Sequence, residues 1–203
     1  MAGEARLEGK VGKKALSMLK EVTTVLEKHG VEYMLDCGTL LGIVRENRLL
    51  PWDNDVDLCV DSSQIPKLEK CMFPLWLRGY RVRMAKTYEK TAQMGYKEPR
   101  VLKVRSRKRL VHRGDNLLDI FIKYKGDDGF HYLMVGGSFE KYILQRMPSE
   151  YLENLATVEF DGKLYPIPKD YDGYLTHRYG DWKTPVKEWD YFSQDKSKVD
   201  RPS

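Results

Sequence analysis

Three carboxylates fall within five residues at Asp53-Asn54-Asp55-Val56-Asp57, and the apolar alternation of Val56, Leu58 and Val60 runs straight on from them. That alternation predicts a strand over 55–60, whose side chains point in turn to opposite faces. Asp55 and Asp57 then project from one face, with Asp53 at the entrance, while Val56, Leu58 and Val60 supply the core side. Carboxylates so close repel one another, and a strand kept only for structure gains nothing from them. A hard divalent cation, Mg²⁺ or Mn²⁺, removes the penalty because it prefers oxygen ligands. Two plainer alternatives are a solvated acidic turn and a helix cap made by one Asp, the second leaving two carboxylates unexplained. A calcium loop of the EF-hand type fails, since its sixth position needs Gly and its twelfth Glu, where this chain has Leu58 and Gln64.

Two further segments bear on the same chemistry. Gly38-Thr39-Leu40-Leu41-Gly42 sits at a predicted strand-to-helix junction and is followed by Arg45. Small residues there let backbone N–H groups approach a phosphate, and a helix N-terminus adds a favourable dipole. The plainer alternative is tight helix packing at Gly42. Downstream, Leu117-Leu118-Asp119-Ile120-Phe121-Ile122 places one Asp inside an otherwise apolar strand, which is costly unless the carboxylate is paired or bound to metal. If that strand neighbours 55–60, then Asp53, Asp55, Asp57 and Asp119 form one metal set. Asp55, Asp57 and Asp119 are then the catalytic candidates, with Asp119 either a ligand or the base that takes a hydroxyl proton. Gly38, Thr39, Gly42, Arg45 and Arg105 are the candidates for holding a phosphorylated ligand. Arg105 belongs to the most basic stretch, Arg100, Lys103, Arg105, Arg107, Lys108, Arg109, His112 and Arg113. A solvated strand face is the default there, and a groove for a donor's phosphates or an anionic acceptor is the sharper alternative.

Around these segments the pattern predicts a helix over 11–26 ended by Gly30, a strand over 31–35, and a helix over 40–46. A helix capped by Ser62 or Ser63 follows, kinked or shortened at Pro74. Strands are expected over 80–85, 101–105, 109–112, 117–122 and 130–135. A hairpin turns at Asp161-Gly162, and a last helix covers 171–179. The order implies an α+β fold, a mixed β-sheet flanked by helices, as a single domain over 1–192 with a disordered tail over 193–203.

Taken together, Tyr33-Met34-Leu35, Gly38-Thr39-Leu40-Leu41-Gly42, Arg45 and Pro51-Trp52-Asp53-Asn54-Asp55-Val56-Asp57 resemble the signature of the LicD/fukutin family. Pro168, Tyr171, Leu175, Tyr179-Gly180-Asp181-Trp182 and Pro185 are similar to its closing motif, so the resemblance runs from about residue 30 to 186. It implies a nucleotidyltransferase fold and a Mg²⁺-dependent transfer. A phospho-alcohol such as phosphocholine or ribitol phosphate would pass from a CDP-linked donor to a sugar hydroxyl of a glycan or glycolipid acceptor. Asn54 stands where many members carry an acidic or aromatic residue, and it is expected to face away from the site.

The 203 residues are 41% hydrophobic and 32% charged, enough for a core without disulfide staples. A net charge of +5 suits a phosphorylated ligand without demanding nucleic acid. Cys37, Cys59 and Cys71 match no zinc or redox spacing, and no signal peptide or apolar span is encoded, so a cytoplasmic protein is expected. Two competitors remain. One is a nucleotidyltransferase that moves a nucleoside monophosphate and releases pyrophosphate. The other is a non-catalytic nucleic-acid-binding domain using residues 100–113, which leaves the carboxylates idle.

Overall fold

A computed structural model describes residues 6–108, 112–135, 142–186 and 194–199. Helix α1 (Gly9–Lys28) buries Ala15, Met18, Leu19, Val22, Val25 and Leu26 along one stripe. It closes with Gly30 at φ +65°, the Gly30 N–H reaching Glu27 O and the Val31 N–H reaching Leu26 O. That paired closure is the Schellman end that glycine permits. Because Val31 is committed to it, the strand expected over 31–35 shrinks to β1 (Met34–Leu35).

Helix α2 (Cys37–Glu46) begins three residues earlier than its apolar pattern suggested, because the Asp36 carboxylate accepts the Cys37 N–H and starts it there. Strand β2 (Val56–Asp61) follows. The next cap is a correction: Asp61, not Ser62 or Ser63, accepts the Ser63 N–H and opens a 3-10 turn over Ser62–Gln64. Helix α3 (Ile65–Leu77) carries Pro74 in its last turn and still runs on to Leu77.

Strands β3 (Tyr80–Lys86), β4 (Pro99–Lys108) and β5 (His112–Gly126) form an antiparallel meander. The strand expected over 109–112 lies outside the described residues except for His112, which opens β5. Strand β6 (Gly129–Val135) pairs with the end of β5 and with β7 (Tyr142–Met147). Neither β7 nor the short helix α4 (Glu150–Glu153) was anticipated. Strands β8 (Leu155–Phe160) and β9 (Lys163–Pro168) make the expected hairpin, with Asp161 at φ +48° and Gly162 at φ +75° in its turn. Helix α5 (Tyr171–Tyr179) falls where it was expected.

The main sheet runs β1-β2-β5-β4-β3, and among the described residues its parallel pair is β2 beside β5. The meander returns the chain so that Val56, Leu58 and Val60 align with Leu118, Ile120 and Ile122. All six are buried, on the face that α1 covers, as the bond from Lys14 Nζ to Ser106 Oγ shows for β4. Each such aliphatic side chain contributes about 1.5–3 kcal/mol on burial. The fold is therefore α+β with a mixed sheet, as expected.

Part of the tail expected to be disordered is packed. Asp195 and Ser197 are buried, and Lys198 bridges to Gln145 on β7. The reason is a buried cation, Arg178 on α5, whose Nη2 lies 3.3 Å from Asp195 Oδ2.

Candidate active site

The first turn of α2 and the start of β2 are tied to each other. The Thr39 hydroxyl accepts the Asp57 N–H at 2.8 Å, and the Asp36 N–H donates to the Asp57 carbonyl at 3.0 Å. These bonds fix Asp57 at the helix N-terminus. The Asp53 carboxylate lies over Gly38, so close that a Cβ there would sit 2.1 Å from Oδ2. Gly38 thus makes room for a carboxylate. Gly42 has another role: a Cβ would meet the Arg48 carbonyl oxygen at 2.6 Å and Leu50 Cγ at 2.9 Å, the tight packing that its plainer explanation supposed.

Parallel pairing sets Asp57 directly beside Asp119, and antiparallel pairing sets Asp119 beside Lys103. Lys103 Nζ is 2.5 Å from Asp119 Oδ2, supplying the positive charge that a carboxylate in an apolar strand requires. Lys103 stood only among the basic run in the sequence, where nothing local pairs it with Asp119. Burial, then the charges of Asp55, Asp53, Asp119 and Asp36, hold the Asp57 carboxyl well above the usual carboxylate range. Burial pushes Asp53 up to about 6, although the Asn54 N–H it accepts pulls the other way.

A cavity of about 420 Å³ opens at this corner, with Gly38, Asp53 and Asp57 on one wall and Tyr179 and Trp182 on another. Arg45 also lines it. Its Nε and Nη2 bond Glu46 Oε1, while Nη1 bonds the Trp182 carbonyl at 3.1 Å, so it joins α2 to the closing motif. Thr39, Gly42 and Arg105 do not line this cavity. Arg105 is half-buried on β4, two residues from Lys103. The side chains of Arg107 to Arg113 lie outside the described residues. Trp182 Nε1 and Arg178 Nε, both on residues lining the cavity, are buried without a hydrogen-bond partner among the described residues.

A buried network stands behind the site that no sequence pattern announced. Lys123 Nζ is 2.8 Å from Asp36 Oδ2 with both side chains fully buried, and Arg178 Nη1 lies 3.6 Å from Asp36 Oδ1. The Tyr174 hydroxyl donates to the same carboxylate. Burial works to raise Asp36, but Lys123 and then Arg178 overcome it and hold the carboxyl far below its ordinary range. Lys123 within the apolar β5 was the available signal, and its partners lie far away in sequence.

The donor set around Asp57 is all oxygen and over-supplied with negative charge, which fits a hard divalent cation. As the side chains stand, no three acidic, histidine or cysteine groups among the described residues gather closely enough to hold an ion. Asp119 turns to Lys103, and Asp53 lies over Gly38. No helix among the described residues is long and apolar enough to cross a membrane.

Comparison with known proteins gives the site its context. An uncharacterized protein of Rickettsia typhi is 25% identical over 185 residues, covering 84% of this chain and 48% of that protein. The lipopolysaccharide cholinephosphotransferase LicD of Haemophilus influenzae is 21% identical over 240 residues, covering 85% of this chain and 90% of that protein. The human ribitol-5-phosphate transferase FKTN is 27% identical over 189 residues, covering 88% of this chain and 35% of that one. The chain spans about half the length of the Rickettsia relatives it matches, 48% and 57%. The family profile described as LicD/FKTN/FKRP, nucleotidyltransferase domain, matches residues 30–170, a span that takes in α2, Asp53, Asp57 and Asp119, and the chain belongs to that family.

Proposed function

We propose that this protein transfers a phospho-alcohol, phosphocholine, ribitol phosphate or a related group, from a CDP-linked donor to a sugar hydroxyl of a glycan. The observation that carries this is the in-register pair Asp57 and Asp119, with Asp57 on the cavity wall, within a LicD/FKTN/FKRP domain. Phosphoryl transfer asks little covalent work of a protein and much positioning and charge neutralisation. Mg²⁺ held by carboxylates from Asp53, Asp55 and Asp57 would neutralise the donor's pyrophosphate. The acceptor oxygen bonds to the phosphorus that bears the alcohol, the bond to the bridging oxygen breaks, and CMP leaves. The hydroxyl proton passes to a carboxylate, for which Asp119, held in place by Lys103, is the candidate.

Thermal stabilisation by CDP-choline, CDP-ribitol and CDP, with and without Mg²⁺, tests this on the wild type and on Asp55→Ala/Asp57→Ala. A ligand at a hundred times its Kd adds about 2.7 kcal/mol to stability. The expected result is a Mg²⁺-dependent shift with a CDP compound that the double variant loses, and CMP as product. Absence of a shift with every cytidine nucleotide, or release of pyrophosphate in place of CMP, overturns the assignment.

A further inference from the structure

The last two turns of α3, Cys71-Met72-Phe73-Pro74-Leu75-Trp76-Leu77, hold no charged side chain and are apolar on every side. A surface helix ordinarily buries one apolar stripe and turns a polar face to water. Leu68, Cys71 and Leu75 make that stripe, fully buried where α3 packs on β3 and α1. The opposite side departs from the rule. Phe73 and Leu77 are 64% exposed and Trp76 is 52% exposed, at the i, i+3, i+4 spacing that places them on one face. The Phe73 and Trp76 rings stack with centroids 5.9 Å apart, so these residues form one patch, and single exposed apolar residues would need no such explanation. The patch is separate from the catalytic corner, since the walls of the cavity come from other elements.

Charge and area together say what covers it. The helix carries Lys67 and Lys70 and ends on Arg78 at its C-cap, against one carboxylate, Glu69. Lys70 and Arg78 are exposed. The bonds made by Lys67 and Arg78 go to the backbone carbonyls of Gly30 and Pro74, at 2.9 and 3.3 Å. Trp, Phe and Leu set among Lys and Arg is the composition of a helix lying in the interface of a bilayer. At 13 residues, about 20 Å, α3 is too short to cross one. The three side chains expose roughly 350 Å², under half of the about 800 Å² per partner that a stable protein interface buries. A twofold pairing of two copies would also bring their cations together. We propose that the outer face of α3 docks this protein on the surface of an anionic phospholipid bilayer. Phe73, Trp76 and Leu77 enter the interface, while Lys70 and Arg78 meet lipid phosphates. The docking is independent of the donor assignment.

The test is co-sedimentation with vesicles of phosphatidylcholine, alone or mixed with phosphatidylglycerol. Wild type is compared with Phe73→Gln/Leu77→Gln, Lys70→Glu/Arg78→Glu, Trp76→Phe and Leu164→Gln. The last removes a side chain of β9 that is 60% exposed, away from α3. The expected result is binding to the phosphatidylglycerol vesicles that weakens as salt is raised, with little binding to phosphatidylcholine alone. Partitioning should fall about tenfold or more in Phe73→Gln/Leu77→Gln and about tenfold in Lys70→Glu/Arg78→Glu, and stay unchanged in Leu164→Gln. Lipids brominated on the acyl chain should quench the tryptophan fluorescence of wild type, and Trp76→Phe should bind yet lose most of that quenching. Thermal midpoints should match wild type throughout, because every changed side chain is exposed, and they report folding. Absence of wild-type binding to the anionic vesicles, undiminished binding in Phe73→Gln/Leu77→Gln, equal loss in Leu164→Gln, or unchanged quenching in Trp76→Phe overturns the docking. So does a wild-type dimer in sedimentation velocity without lipid that Phe73→Gln/Leu77→Gln abolishes, which would assign the patch to self-association.

Discussion

Asp53 and Asp57 carry their charge at a cost that pH can relieve. With Asp53 raised to about 6 from an ordinary value of 3.8, the folded chain holds its proton more tightly than the unfolded chain does. Its stabilising contribution is fully present below about pH 4 and is lost as pH rises through about 6. Asp57 acts in the same direction. Wild type without divalent ions should therefore gain stability between pH 7 and pH 5, by about 1 kcal/mol from Asp53 alone. Asp53→Asn should flatten that gain, and so should saturating Mg²⁺ in the wild type. Differential scanning fluorimetry across that range checks it; an Asp53→Asn profile parallel to wild type would sink the argument. At this scale the carboxylates of 53–57 could be found in the sequence because three repelling charges in one short segment need an external reason. Lys103 could not, since its meaning comes only from the strand beside it.

Elements defined by local rules were readable, and those defined by distant partners were not. Helices α1 and α5 and the β8–β9 hairpin follow from periodicity, a glycine stop and an Asp-Gly turn, all contained in contiguous residues. Strand β7 has only Ile143 and Leu144 between Tyr142 and Gln145-Arg146, too little alternation to mark it, and it exists because β6 offers it an edge. Helix α2 shows how a motif can mislead in part. Gly38 and Gly42 share one signature, yet Gly38 clears space for Asp53 while Gly42 lets the helix lie against Arg48 and Leu50. In an exposed helix, Gly→Ala stabilises by roughly 1 kcal/mol. Gly42→Ala should instead destabilise, by about 1–3 kcal/mol, because the clash is with a backbone oxygen. Urea denaturation gives the sign directly; a gain in stability would show that the loop after α2 yields without cost.

Across the whole molecule, Arg178 binds the chain's far segments to one another. It reaches Asp36 ahead of α2 and Asp195 beyond α5 while lining the cavity. Asp195→Ala removes one carboxylate from a buried cation and should cost about 3–5 kcal/mol, read as a lowered thermal midpoint. A loss under about 1 kcal/mol would mean that residues 194–199 merely rest on the surface. A polar segment near the end of the sequence suggested disorder because the cation that anchors it is invisible from within the segment. The parallel pairing of β2 and β5 reaches still further, into the making of the protein. On a growing chain, Asp57 leaves the ribosome with β1 as its neighbour, and α3, β3 and β4 must all be synthesised before Asp119 arrives beside it. Such non-local pairing is slow, and until it forms the β2 edge is open to any other strand at hand. The geometry that would make this protein a catalyst also leaves its nascent chain exposed to mispairing for the time it takes to translate a third of the molecule.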